Sequence, residues 1–187
     1  MHSIWNKLRR QKNEKDWHDE KSFERWLMRA KESGVPVPRE VAEQWLFAFI
    51  DEHDVLEEYL DIDLTTVIFK QETWDIETIL QIKPGEYGEE GRYLPVIREL
   101  KNINGKIEKS SYGHINSVVK SWLNEGTWRV PPIVLDSRQF SGYKTPYHLV
   151  EGYTRLAWIH YYANHPDNSS GVKLSNKHSV WLITMKN

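Results

Sequence analysis

"YHLVEGYTRLAWIHYY", residues Tyr147 to Tyr162, decides how this chain is read, because an apolar run ends there at a glycine and a helical pattern begins. Leu149 and Val150 read as the end of a core strand. Leu156, Ala157, His160 and Tyr161 recur at helical spacing, so the stretch predicts strand, turn, and a helix over 154–163 with that face inward. Such a junction has chemical consequences. The first turn of a helix carries N–H groups without partners and a partial positive charge, and glycine lets an anion approach closely. Thr154 adds a hydroxyl donor and Arg155 a forked cation suited to phosphate oxygens. Gly152, Tyr153, Thr154 and Arg155 are therefore a candidate phosphate-binding site. The same residues also fit a plain turn, with Gly152 closing it, Thr154 capping the helix and Arg155 in a structural ion pair.

Working outward, "VPPIVLD" upstream reads as a buried strand, and "HSVWLITM" downstream reads as a last strand. Before them, Ile115, Val118, Val119, Trp122 and Leu123 form the clearest helical stripe in the chain, stopped at Asn124 to Gly126. Strands and helices alternate here, so this part is α/β in type. "PVIRELKNINGKIEK" fits either a hairpin around Asn104-Gly105 or a short helix ending there. "KPGEYGEEGRYLP" reads as a turn-forming loop, and Thr65 to Lys70 as a strand, while "TWDIETILQI" suits strand or short helix.

Nearer the N-terminus the pattern is helical. Phe23, Trp26, Leu27 and Ala30 make one amphipathic helix, and after Pro38 a second carries Val41, Ala42, Trp45, Leu46 and Phe49; Phe47 and Ile50 make it apolar nearly all round, as for a buried helix. Val55, Leu56, Tyr59 and Leu60 continue the helical pattern after a bend. The composition shifts near residue 60, so a helical subdomain over 1–60 and an α/β domain over 61–187 are expected.

The 187 residues suffice for a sizeable core, and 39% hydrophobic content with nine tryptophans reads as folded. A formal charge of −2 offers no global field for a polyanion. The absence of cysteine excludes disulfides, thiolate metal sites and cysteine nucleophiles, and fits a cytoplasmic protein. No run of about 18 apolar residues is present, so no membrane partner is expected.

The order of "INSVVKSWLNEG" helix, "PPIVLD" strand, "YHLVEG" strand, "YTRLAWIHYY" helix and "VWLITM" strand resembles the ParB/sulfiredoxin superfamily over about 61–187, most closely 115–185. The resemblance implies a small mixed sheet with flanking helices, with residues 1–60 outside it. Gly152 and Arg155 match the family's Gly-x-x-Arg, which lies against nucleotide phosphates. The central pair departs from each branch: sulfiredoxins have cysteine at the position of Tyr153 and histidine at Thr154, so reduction of sulfinic acids is not expected. ParB proteins have Glu and Arg there, so CTP-dependent clamping is not expected either. The family's free serine kinases share an acidic residue at the position of Glu151 but use histidines at the next two variable positions.

The resulting expectation is a nucleotide or other phosphorylated ligand, with magnesium as a conceivable companion, and phosphotransferase, nucleotidase or nuclease chemistry in which Glu151 is the candidate metal ligand or base. Glu151 equally suits a partner for Arg155. Weaker candidates are Asp61 and Asp63 for a cation, and Glu86, Glu89 and Glu90 as a lid. No metal is assigned, because the histidines lack ligand spacing and neither HExxH nor Gly-x-Ser-x-Gly occurs. Lys7, Arg9, Arg10, Lys12 and Lys15 with Trp5 and Trp17 form a basic, aromatic stretch that nucleic acid could contact, diluted by Glu14, Asp16, Asp19 and Glu20. The rival expectation is a non-enzymatic interaction protein, an accessory, immunity or defence component of a mobile element, using the N-terminal helices and surface tryptophans for a protein partner.

Overall fold

A computed structural model describes residues 3–14, 16, 18–85, 88–167 and 170–186, with only the backbone described at Ser3 and His53. Lys15, Trp17 and Glu86 lie outside these residues. The strands are β1 (Val67–Asp75), β2 (Ile82–Pro84), β3 (Ile133–Asp136), β4 (Tyr147–Glu151) and β5 (Lys177–Met185). They form one mixed sheet in the order β1-β5-β3-β4-β2, with β2 parallel and β3 antiparallel to β4. The chain is mixed α/β. It divides into two compact units, the residues up to Lys70 with those from Leu182 onward, and Gln71–Trp181. The composition shift near residue 60 lies upstream of this division because β1 belongs partly with the helices before it. The chain's last residues join the first unit, where the Lys186 N–H donates to the Thr66 carbonyl at 2.8 Å.

In the first unit, α1 (Ser3–Leu8) and α2 (Glu20–Glu32) are followed by a helical run over 39–49. Asp19 starts α2 by accepting from the Lys21 and Ser22 N–H groups, satisfying donors that the helix leaves unpaired. The expected stripe Phe23, Trp26, Leu27 and Ala30 is buried. The 39–49 run buries Val41, Ala42, Trp45, Leu46 and Phe47, and a π-helical turn at Ala42–Leu46 interrupts it. Trp5 is buried too, with its indole N–H donating to the Ile62 carbonyl at 2.9 Å.

In the second unit, α3 (Leu94–Asn102), α4 (Asn116–Glu125) and α5 (Tyr153–Asn164) accompany β2, β3 and β4. "TWDIETILQI" divides into the end of β1, one helical turn at Ile76–Ile79, and β2. The expected loop over "KPGEYGEEGRYLP" is helical in its second half: a π-helical turn at Glu89–Tyr93 feeds directly into α3. Pro95, which has no N–H to donate, stands just after this π-helical turn, at the start of α3. Asn104-Gly105 ends a helix and forms no hairpin. Both residues have positive φ, 52° and 71°, and the Gly105 N–H closes back on the Leu100 carbonyl at 2.8 Å.

Trp122, Trp158 and Tyr162 are nearly inaccessible and meet edge to face or tilted, with centroids 5.3 to 6.0 Å apart around Trp122. The stripe on α4 is less buried than its spacing predicts. Trp122 is in the core, yet Ile115 and Leu123 are 37% and 40% exposed. Among the described residues no helix is long and apolar enough to cross a membrane.

Candidate functional site

β4 delivers Glu151, and the chain then turns through Gly152 at φ 114° and ψ 28° into α5. A Cβ at Gly152 would stand 2.6 Å from the Cβ of Pro132, so both backbone angle and space demand glycine. The first turn of α5 contains no acidic residue, which leaves its N–H groups and dipole uncompensated by an acid of its own.

Arg155 is tied down within the protein. Its Nη1 donates to the Val130 carbonyl at 2.8 Å and the Pro131 carbonyl at 3.4 Å, while Nη2 stands 3.7 Å from Glu151 Oε1. The pair is mostly buried, with 20% and 22% of the two side chains exposed. The expected phosphate fork thus also fastens the chain before β3 to the start of α5. Burial raises the Glu151 carboxyl above its ordinary range, against the opposing pull of Arg155 and Arg92 and a backbone hydrogen bond from Gly152.

Glu151, Gly152, Tyr153, Thr154 and Arg155 all line one cleft of about 700 Å³. The helical run before and within α3 supplies a second wall, from Gly91 and Arg92 through Pro95 and Val96 to Glu99. Ser111 and Tyr112 complete it. Arg92, Glu99, Ser111 and Tyr112 were not singled out in the sequence. Their signal is weak, since Arg92 reaches the cleft only because Glu89–Tyr93 is helical, and Glu99 only because α3 packs on α5.

Tyr153 and His160, two turns apart on one face of α5, hold this wall. A Cβ on Gly88 would fall 1.8 Å from the Tyr153 ring, so the ring sits directly on the glycine backbone. Further along, the Tyr93 hydroxyl and His160 Nδ1 are 2.6 Å apart. Burial pushes the Tyr93 hydroxyl up to about 12 and, with Lys83 nearby, the imidazole down to about 4. At neutral pH the hydroxyl therefore donates and the neutral ring accepts.

Glu89 and Glu90 are exposed and do not line the cleft; Glu90 stands 3.9 Å from Arg98, so the lid expected of them is not formed here. Asp63 accepts from the Thr65 N–H at 2.9 Å and its hydroxyl at 2.7 Å, bonds that lower its pKa and mark a local turn. Asp61 is exposed. Among the described residues no three His, Cys, Asp or Glu side chains gather as a metal site. Buried Trp5 is unavailable for base stacking, and Arg10 pairs with Asp51 at 2.7 Å. Trp26, Trp45, Trp74, Trp122, Trp128 and Trp158 are buried and Trp181 half-buried, so the described tryptophans do not form the expected partner surface.

No family model matches the chain, and neither a curated protein nor a solved structure matches it significantly.

Proposed function

We propose that the chain is a ligand-binding domain of the ParB/sulfiredoxin type whose cleft takes a nucleotide or another phosphorylated ligand. The observation that carries this reading is that one cleft collects the whole junction from Glu151 to Arg155 together with a second arginine, Arg92. Its volume lies within the range of small-molecule sites. The phosphates meet the N–H groups opening α5, Thr154 and Arg92, with Arg155 behind them holding the turn in shape. Glu151, whose proton affinity is raised beside that anion site, is the group suited to proton transfer if phosphotransferase, nucleotidase or nuclease chemistry follows.

Isothermal titration with ATP, CTP and GTP, with and without magnesium, tests the reading. Binding is expected, and Arg92→Ala is expected to weaken it by about tenfold or more while leaving the thermal midpoint within about 2 °C. No heat with any of the three, under either condition, overturns it.

A second reading is favoured by two observations, the structural engagement of Arg155 and the exposure of Leu123 on α4 and of Ile115 just before it. On that reading the fold is a scaffold for a protein partner, as in an accessory or defence component of a mobile element, and the cleft stays silent in the same titration.

A further inference from the structure

The cleft has two ends of different chemistry. At one, the start of α5 and Arg92 present donors and positive charge; at the other stand Glu99, Ser111 and Tyr112. Arg92 and Glu99 are seven positions apart on one helical run, roughly 10 Å along its axis at ~1.5 Å per residue. An anion held at the first end and a ring held at the second therefore need a spacer of about the size of a sugar.

The second end is built to receive a planar ring. Tyr112 is 36% exposed, and its ring meets the fully buried Trp158 edge to face, 6.1 Å between centroids, so its orientation is set from behind. Pro95 and Val96 add apolar surface on the facing wall. Glu99 is oriented as well, since Oε1 accepts from the Ser111 N–H at 2.5 Å and Oε2 from the Ser111 hydroxyl at 3.2 Å. A carboxylate has about four lone-pair positions and no donor, so Glu99 keeps acceptor capacity after both bonds are made.

An acceptor-only group discriminates among nucleobases. Guanine places N1–H and the N2 amino group side by side, two donors that match the two oxygens of one carboxylate. Adenine and cytosine each set their amino group beside a ring-nitrogen acceptor, and uracil flanks its single N–H with two carbonyls. Each of these would turn lone pairs toward Glu99. We infer that the cleft selects a guanine nucleotide, with Glu99 reading the base edge and Tyr112 covering the ring. This inference rests on the phosphate reading of the same cleft.

Affinities for GTP, ITP, ATP, CTP and inorganic tripolyphosphate are measured on the wild-type chain and on Glu99→Gln. GTP is expected to bind at least about tenfold tighter than ATP, CTP and ITP, the last lacking only the N2 amino group. Glu99→Gln is expected to erase that preference and leave tripolyphosphate binding unchanged. Equal binding of GTP and ITP, or a guanine preference that survives Glu99→Gln, overturns the inference while the phosphate reading stands. Failure of tripolyphosphate and every nucleotide to bind overturns both. If Glu99→Gln does not fold, the GTP-to-ITP ratio on the wild-type chain decides alone.

Discussion

The two compact units differ in what their arginines border. In the first, Arg39 pairs with Glu20, Glu24 and Glu43 and lies 4.8 Å over the Phe23 ring, while Arg29 holds Glu14 and the carbonyls of Lys7 and Arg9. Those contacts stitch helices and loops to one another around a tryptophan core. In the second, Arg138 pairs with Asp136 at 2.7 Å in the same structural way, but Arg92 and Arg155, the latter also held by the Val130 and Pro131 carbonyls, share a cleft with Glu99 and Glu151. Charges gathered around an open cleft keep part of the hydration that closed packing would remove, and stay available to a ligand of opposite charge. Substitutions in the first unit should therefore act through stability, and substitutions around the cleft through binding.

The largest expected effect would break this contrast if it failed. Trp26 is inaccessible and its indole N–H donates to the Leu8 carbonyl at 2.6 Å, so Trp26→Ala should cost about 3–5 kcal/mol of stability, read by chemical denaturation. A cost below about 1 kcal/mol would show that the first unit is not held by that core.

Next comes the acid limb. The His160 imidazole is depressed from 6.5 to about 4 in the folded chain, so the unfolded chain binds more protons between those values. Stability is then complete above about pH 6.5 and falls as pH drops toward 4, by up to roughly 3 kcal/mol from this group. His160→Gln should flatten that limb in denaturation midpoints measured from pH 7 to pH 4. Buried His178, shifted in the same direction, retains a slope of the same sign. An unaltered profile would mean that His160 is not held as a buried, neutral ring in the folded state.

Gly152→Ala should cost about 1–3 kcal/mol, through the left-handed φ and the contact with Pro132, and should weaken ligand binding more than it lowers the thermal midpoint suggests. Titration on protein shown folded by circular dichroism separates the two effects. Smallest of all, Leu123→Ser on the exposed stripe of α4 should stay within about 0.5 kcal/mol of the parent in stability and leave titration unchanged. A larger loss would mean that this surface is covered in solution, sharpening the scaffold reading.

Much of the architecture could be read from local pattern. The helix over "YTRLAWIHYY", the strands "IVLD" and "YHLVE", the α2 stripe and the burial of the 39–49 run all follow spacing that a single element imposes on its own residues. The Glu89–Tyr93 turn escaped that logic because Gly91 disfavours a helix locally, and packing against α5 overrides that preference. The α4 stripe misled in the other direction, since apolar periodicity shows which residues share a face and says nothing about whether another element covers it.

The site divides along the same line. By itself the sequence determined that Glu151 to Arg155 form a strand–glycine–helix junction, because the conformational freedom of glycine and the unpaired N–H groups of a helix start are local properties. Only the tertiary structure decided that Arg155 turns toward the Val130 and Pro131 carbonyls, and that Arg92, Glu99 and Tyr112, distant in the chain, complete the cleft around it. The physical reason is that hydrogen-bond partners and shared cavities depend on which elements pack together, and packing is a property of the whole chain that no single window encodes.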